Sequence, residues 1–172
     1  MRISNHLRRG FLCGGLFWLL TASPLSATPL TAAEPYPSPE MVKAEAEQGF
    51  IDILSLWRDR HYEQLYNRVI PDSGYTRDYF VELMEYTSRR PACCWEQLQE
   101  LTASYTEERH VTITARLGLE AEGIGTRFVI SSFYLVKEDG VWKLPARNIV
   151  TLSEPNWQRI PNRWPVRSPN PY

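Results

Sequence analysis

Cysteine and histidine are scarce in this 172-residue sequence, three of each, and their spacing supports little catalytic or metal chemistry. No His-x-x-x-His pair, no Ser-His-Asp arrangement and no glycine-rich phosphate loop is present. A tetrahedral metal site built on the adjacent Cys93 and Cys94 would need four ligands, and beyond the N-terminal segment only His61 and His110 remain as histidines. No metal and no cofactor is therefore expected. A basic excess is also lacking. The formal charge of the whole chain is −1, and no basic stripe with interleaved aromatics appears, which argues against a nucleic-acid partner. Long apolar runs are missing too. The longest, Phe11 to Leu20, falls short of the about 20 residues that a membrane-spanning helix needs.

That short run is instead the apolar centre of an export signal. Arg2, His6, Arg8 and Arg9 precede it, and small residues follow in "TASPLSATPLTAA", allowing cleavage after Ala27 or Ala33. The stretch "RRGFL" is similar to the core of a twin-arginine signal, but Leu7 stands where a polar residue is usual, so a general secretory signal is favoured. Cys13 precedes most of the apolar stretch, which argues against a lipoprotein anchor. The expectation is an exported protein, periplasmic or secreted, without a membrane anchor. Its organisation is a signal peptide (1–33), a proline-rich linker (34–39), a folded domain (40–152) and a proline-rich tail (153–172). Loss of the signal takes three of the 19 basic side chains, leaving 16 against 20 acidic ones, a formal charge of −4 over 139 residues. That length suffices for one domain with a real core.

Hydrophobic spacing divides the domain in two. Ser38 is a good N-cap, with Pro39 at the first helical position and Glu40 in the first turn. Phe50, Ile53, Leu54 and Trp57 then recur at helical spacing, which predicts a helix over about 39–58. Tyr62, Leu65, Tyr66 and Val69 mark a short second helix that Pro71 ends. Thr76 caps a third, over about 77–88. From Val111 the period becomes two: Val111, Ile113, Ala115, Leu117, Leu119 and Ala121 alternate with polar residues or glycine. Residues 126–137 form the next strand after an "EGIG" turn. Asp139-Gly140 is a hairpin signal leading to a last strand from Val141. Residues 96–106 are ambiguous and are read as a strand, since a hairpin to 111–121 then follows. Helices first and a meander afterwards give an α+β fold, with the helices packed on one face of an antiparallel sheet.

The run "WRDRHYEQLYNRVIP", leading to a sheet that closes on "FYLVKEDGVWKL", resembles the nuclear transport factor 2-like superfamily. The resemblance covers roughly residues 40 to 152. It implies a cystatin-like α+β cone of a kind common among exported bacterial proteins. Members include isomerases, dehydratases, lipid carriers and small domains without a known reaction, so the fold decides nothing about activity. The isomerase-like members use a tyrosine from the helices and buried carboxylates from the sheet. Tyr62 and Tyr66 fit the first role, but the inward set on 111–121 is wholly aliphatic. No catalytic residue is assigned. Asp59 and His61 are read as a polar turn with an exposed histidine, and His110 as solvent-facing.

Two functional classes follow. The favoured one is an exported, non-catalytic domain that binds a small apolar ligand or a protein partner. The alternative is a small-molecule isomerase, dehydratase or hydrolase. If a ligand binds, Tyr62, Tyr66, Tyr79 and Trp142 are the amphipathic aromatics suited to the mouth of the cone, against the plainer reading that they are packing. In a two-residue hairpin Lys137 faces Trp142, so Phe133, Leu135, Trp142, Leu144 and Ala146 share one face, and Phe128, Ile130, Tyr134 and Val136 the other. Both faces are apolar. Something besides the helices must cover one of them: a second copy, making a homodimer, or else the tail with Trp157 and Trp164.

Cys93 and Cys94 remain open. Neighbouring Cα atoms lie about 3.8 Å apart, below the usual disulfide range of about 4.4–6.8 Å. The alternatives are a strained bond between the two, a cross-link between chains, free thiols buried as small apolar groups, or a redox or metal role.

Overall fold

A computed structural model describes residues 37–72 and 74–156; the expected signal (1–33), linker residues 34–36 and the tail from residue 157 lie outside the described residues. Helix α1 (Pro39–Arg58) begins where the sequence signals it, the Ser38 hydroxyl accepting a hydrogen bond from the Met41 N–H at 3.3 Å. Its buried stripe is Val42, Ala46, Gly49, Phe50, Ile53, Leu54 and Trp57. It is followed by α2 (Tyr62–Tyr66), strand β1 (Val69–Ile70) and α3 (Arg77–Glu85), where Thr76 caps through the Tyr79 N–H at 3.3 Å. Then come β2 (Arg89–Pro91), a 3-10 turn (Cys94–Glu96), β3 (Leu98–Glu107), β4 (His110–Ala121), β5 (Gly125–Glu138), β6 (Val141–Pro145) and α4 (Ala146–Ser153).

The fold class is the expected α+β: helices on a curved six-stranded sheet. Along the sheet β1, β6, β5 and β4 are neighbours in that order, and β2 and β3 both pair with β4. The sheet is mixed rather than purely antiparallel. Val69 runs parallel to Leu144 and Ile70 to Pro145, because the Arg68 carbonyl takes the Leu144 N–H and draws the short β1 onto the free edge of β6. Elsewhere the pairing is antiparallel, and the register places Lys137 opposite Trp142, as the hairpin requires. Asp139 and Gly140 both have positive φ, 51° and 76°, the condition for that tight turn.

Two further elements differ from the sequence expectation. Helix α3 ends at Glu85, not near 88, because Thr87 and Ser88 turn away to meet residues 153–155. Thr87 bridges Pro155, and the Ser88 N–H reaches the Ser153 carbonyl at 3.2 Å. Residues 146–153 form a helix instead of continuing the last strand. Ala146, Ile149, Val150 and Ser153 fall on its buried side, a helical period that wins once Pro145 ends the ladder. Of the residues assigned to the tail, Ser153 ends α4 and 154–156 lie against the end of α3 and β2. Trp157 and Trp164 fall outside the described residues.

Curvature comes from β3. Its register with β4 shifts between Gln99 and Thr102, and Glu100 inside the shift has φ 51°. An irregularity of this kind bends its strand and deepens the concave face. The core fills that face: Phe50 meets Phe133 with ring centroids 4.7 Å apart, and Trp57, Phe80, Leu83, Leu117, Leu135 and Leu144 are all but fully buried.

One glycine is demanded by packing on the convex side. A Cβ on Gly118 would sit 2.0 Å from the Glu96 carbonyl oxygen, which lies over this point of β4. Replacing Gly118 by alanine must push the 3-10 turn off the strand. We expect Gly118→Ala to lose about 1–3 kcal/mol, the usual range for overpacking, seen in thermal unfolding as a midpoint lowered by several degrees; an unchanged midpoint would mean that the turn is free to lift.

Candidate functional site

The four aromatics expected at a ligand mouth do not converge on one opening. Tyr62, Tyr79 and Trp142 are buried, Tyr62 and Trp142 within the main core. Tyr66 is half-buried. Its hydroxyl donates to the Tyr75 carbonyl at 3.1 Å, its ring packs on Phe80, and the Arg77 guanidinium lies 4.9 Å over its face. Tyr75 and Tyr79 stack nearly parallel, 5.9 Å apart. Trp142 is held from three sides: Gly49 packs on its stem, its carbonyl accepts from Arg68 at 3.3 Å, and the Lys137 ammonium stands 5.8 Å over the ring. Among the described residues the indole N–H groups of Trp57 and Trp142 have no hydrogen-bond partner, and both side chains lie in the apolar core.

Two shallow grooves lie on the surface. One, of about 330 Å³, runs between Tyr66, Val69 and the Glu138–Val141 hairpin. The other, of about 440 Å³, is bordered by Asp52, Asp59, His61 and Arg68. Asp59 is fully committed to its neighbour. The Arg58 guanidinium donates to both carboxylate oxygens at 2.8 and 3.1 Å, and that hydrogen bonding holds the Asp59 carboxyl below its usual range. A carboxylate so occupied is a poor orienter for His61, which borders the same groove and is exposed.

Buried polar side chains are few. Gln97 and Ser153 are the polar residues buried among those described, and neither is a carboxylate. No group of three or more His, Cys, Asp or Glu side chains among the described residues is arranged to hold a metal ion. No helix among them is long and apolar enough to cross a membrane.

The convex face is where exposed apolar groups collect. Opposite β4, strand β5 sets Phe128 against Gly118, Ile130 against Arg116, and Tyr134 against Thr112. Ile130 is 73% exposed and Tyr134 46%. Phe128 is half-covered by the Arg116 guanidinium, 4.4 Å from its ring centre. His110, read from sequence as solvent-facing, is half-buried instead. It stacks on Tyr134 at 5.4 Å and pairs with Glu107 across the hairpin, contacts that only the register creates.

Cys93 and Cys94 are joined to each other. Both are exposed, and the next residue, Trp95, is 73% exposed. Sequence reading did not single out Trp95. Its place directly after the cysteine pair was the available signal.

No protein-family model matches the chain, and no curated protein matches it. Among solved structures it is similar to a Novosphingobium aromaticivorans protein named for scytalone dehydratase, with 14% identity and a TM-score of 0.44, over 62% of this chain and 81% of that one. A likeness at this level says nothing of reaction or substrate.

Burial raises the pKa of Tyr62 above its ordinary 10.0; the Glu85 carboxylate adds to the rise, while a hydrogen bond with Thr87 opposes it. Burial raises Tyr79 as well. The folded chain thus keeps these protons when the unfolded chain begins to lose them. Stability is unaffected below the unfolded pKa and falls as pH rises beyond it toward the folded value. We expect alkaline unfolding to begin near pH 10, the ordinary tyrosine value, with a shallower decline in Tyr62→Phe. Parallel circular dichroism and tyrosinate absorbance titrations check this; identical slopes in both proteins would remove Tyr62 as a cause.

Proposed function

We propose that this chain is an exported, non-catalytic interaction domain that joins a second copy of itself through the convex face of its sheet. The observation that carries the reading is the apolar stripe of Phe128, Ile130 and Tyr134 along β5, on the face away from α1, where Ile130 and Tyr134 are exposed and Phe128 is half-covered by Arg116. A sheet with helices on one side only is normally polar on the other. A concave side occupied by Phe50, Trp57, Phe133 and Trp142 favours contact through the outside over binding inside. An isologous contact would set the two stripes against each other about a twofold axis. Polar Thr112, Thr114, Ser132 and Arg116 between the apolar groups suit an interface that forms between soluble, folded protomers.

A small apolar ligand has less support, because Tyr62, Tyr79 and Trp142 are committed to packing. The isomerase, dehydratase or hydrolase reading needs a sequestered acid or base, and no buried carboxylate or histidine stands among the described residues.

Light scattering and sedimentation of the mature chain at tens of micromolar, with and without residues 157–172, test the proposal. The expected result is a dimer in both. Ile130→Lys places a charge at the centre of the contact and should shift the protein to monomer with its thermal midpoint preserved. A wild-type protein that stays monomeric without the tail overturns the reading.

A further inference from the structure

The bond between Cys93 and Cys94 has no evident role in holding the fold. A disulfide stabilises chiefly by closing a loop in the unfolded chain, and the gain grows with loop length. Here the two residues are sequence neighbours, so the bond closes a ring through one peptide and ties no distant segments together. It is also not sheltered. Both cysteines are exposed, and Cys94 sits at φ 60°, the left-handed region that non-glycine residues rarely occupy. A bond that is exposed and set on a constrained backbone belongs with the labile disulfides and not with the structural ones.

The flanks, by contrast, are fixed. The Ala92 N–H reaches the Gly118 carbonyl at 2.9 Å, and the Gly118 N–H reaches the Gln97 carbonyl at 3.2 Å. The Thr126 hydroxyl donates to the Glu96 carboxylate at 2.8 Å. The turn is pinned to β4 and β5 on both sides of the pair, and between the pins it holds out two sulfurs and the Trp95 ring.

We propose that Cys93 and Cys94 form a thiol–disulfide exchange site for a dithiol reductant. A thiolate of the reductant attacks one sulfur. A bond forms between the two as the Cys93–Cys94 bond breaks, and the other cysteine leaves as a thiolate that takes up a proton. The second thiol of the reductant then attacks the mixed disulfide. The reductant ends as a disulfide, and the two cysteines have gained two electrons and two protons. A monothiol is at a disadvantage in the second step. The freed cysteine lies next to the mixed disulfide and attacks it intramolecularly, whereas release by a monothiol waits on a second bimolecular encounter. A dithiol carries its resolving group with it.

The test uses the full mature chain, purified in air, and does not depend on the interaction reading. Peptide mapping after alkylation counts free thiols at Cys93 and Cys94 following treatment with dithiothreitol or, at matched thiol concentration, with free cysteine. The expected outcome is complete opening by dithiothreitol in the absence of denaturant, little opening by cysteine, and an almost unchanged thermal midpoint. Tryptophan fluorescence should rise on opening, because an adjacent disulfide quenches an indole. The rise should be absent in Trp95→Phe, and Cys93→Ser/Cys94→Ser should resemble the reduced wild type. Both thiols alkylated before any reductant is added would overturn the proposal. So would a bond that yields only after denaturation, a midpoint that collapses on reduction, or equal opening by the monothiol.

Discussion

Everything in this fold hangs on the depth to which α1 settles into the concave face of the sheet. Gly49 sets that depth. A Cβ there would come 2.7 Å from the Cβ of Trp142, so the helix backbone and the β6 side chain touch directly. Arg68 ties the same junction from outside, donating to the carbonyls of Gly49 and Trp142 at 3.2 and 3.3 Å. With the helix at that distance Phe50 reaches Phe133, and Trp57 is buried beneath it. Each large side chain so buried contributes roughly 1.5–3 kcal/mol. The two unpartnered indole N–H groups cost about 1–3 kcal/mol apiece. Aromatic burial wins that comparison, since Phe50, Phe80, Phe133 and the aliphatic side chains around them carry no such penalty. A deeply seated helix also leaves little room inside.

The consequence runs to the convex side. Strand β4 contributes every second residue to the core and the alternate ones to the other face, so the occupancy of one face fixes what the other can offer. Gly118 belongs to the outer set and lies opposite Phe128. Its missing side chain lets the Glu96 carbonyl rest on the sheet, and that contact holds the Cys94–Glu96 turn in place. Arg116, two residues earlier, spreads over Phe128 and stands within 3.7 Å of Glu100 in the β3 irregularity. The bend that deepens the cone therefore also brings charge onto the outer apolar stripe. This partly exposed ion pair adds little stability by itself. Its effect is to shield Phe128 while Ile130 stays bare.

Much of this was legible in the sequence where a local rule dominates. The Ser38-Pro39-Glu40 cap, the Phe50–Trp57 stripe, the alternation from Val111 and the Asp139-Gly140 turn each carry their structural meaning within a few residues. The same alternation showed that Phe128, Ile130 and Tyr134 share a face. What failed to show depends on distant partners. Strand β1 is two residues long and exists only because β6 has a free edge. Helix α3 stops early because the Ser153–Asn156 segment competes for the backbone groups of Tyr86 and Ser88. Helix α4 was hidden behind Pro145 and a proline-rich stretch that read as tail. The placement of Tyr62, Tyr79 and Trp142 follows from packing among elements far apart in sequence, and residue type alone suits mouth and core equally.

The cysteine pair lies between these cases. Sequence spacing alone said that the two sulfurs were close and that an ordinary bond would be awkward, but not whether they were buried. Exposure is decided by the anchoring of the turn, which rests on Gly118 and Thr126, both well downstream of the pair, and on the carbonyl of nearby Gln97. Those anchors separate two tasks that a single disulfide usually combines. The stability of the turn comes from hydrogen bonds to β4 and β5, leaving the sulfur–sulfur bond free to open without loosening the core. A domain whose interior is closed by Phe50, Trp57 and Trp142 presents the cysteine pair and the β5 stripe on its outside. Strand β4 carries the support for both outer features, the β5 stripe through its register and the cysteine turn through Gly118, so a shift of this one strand would move both together.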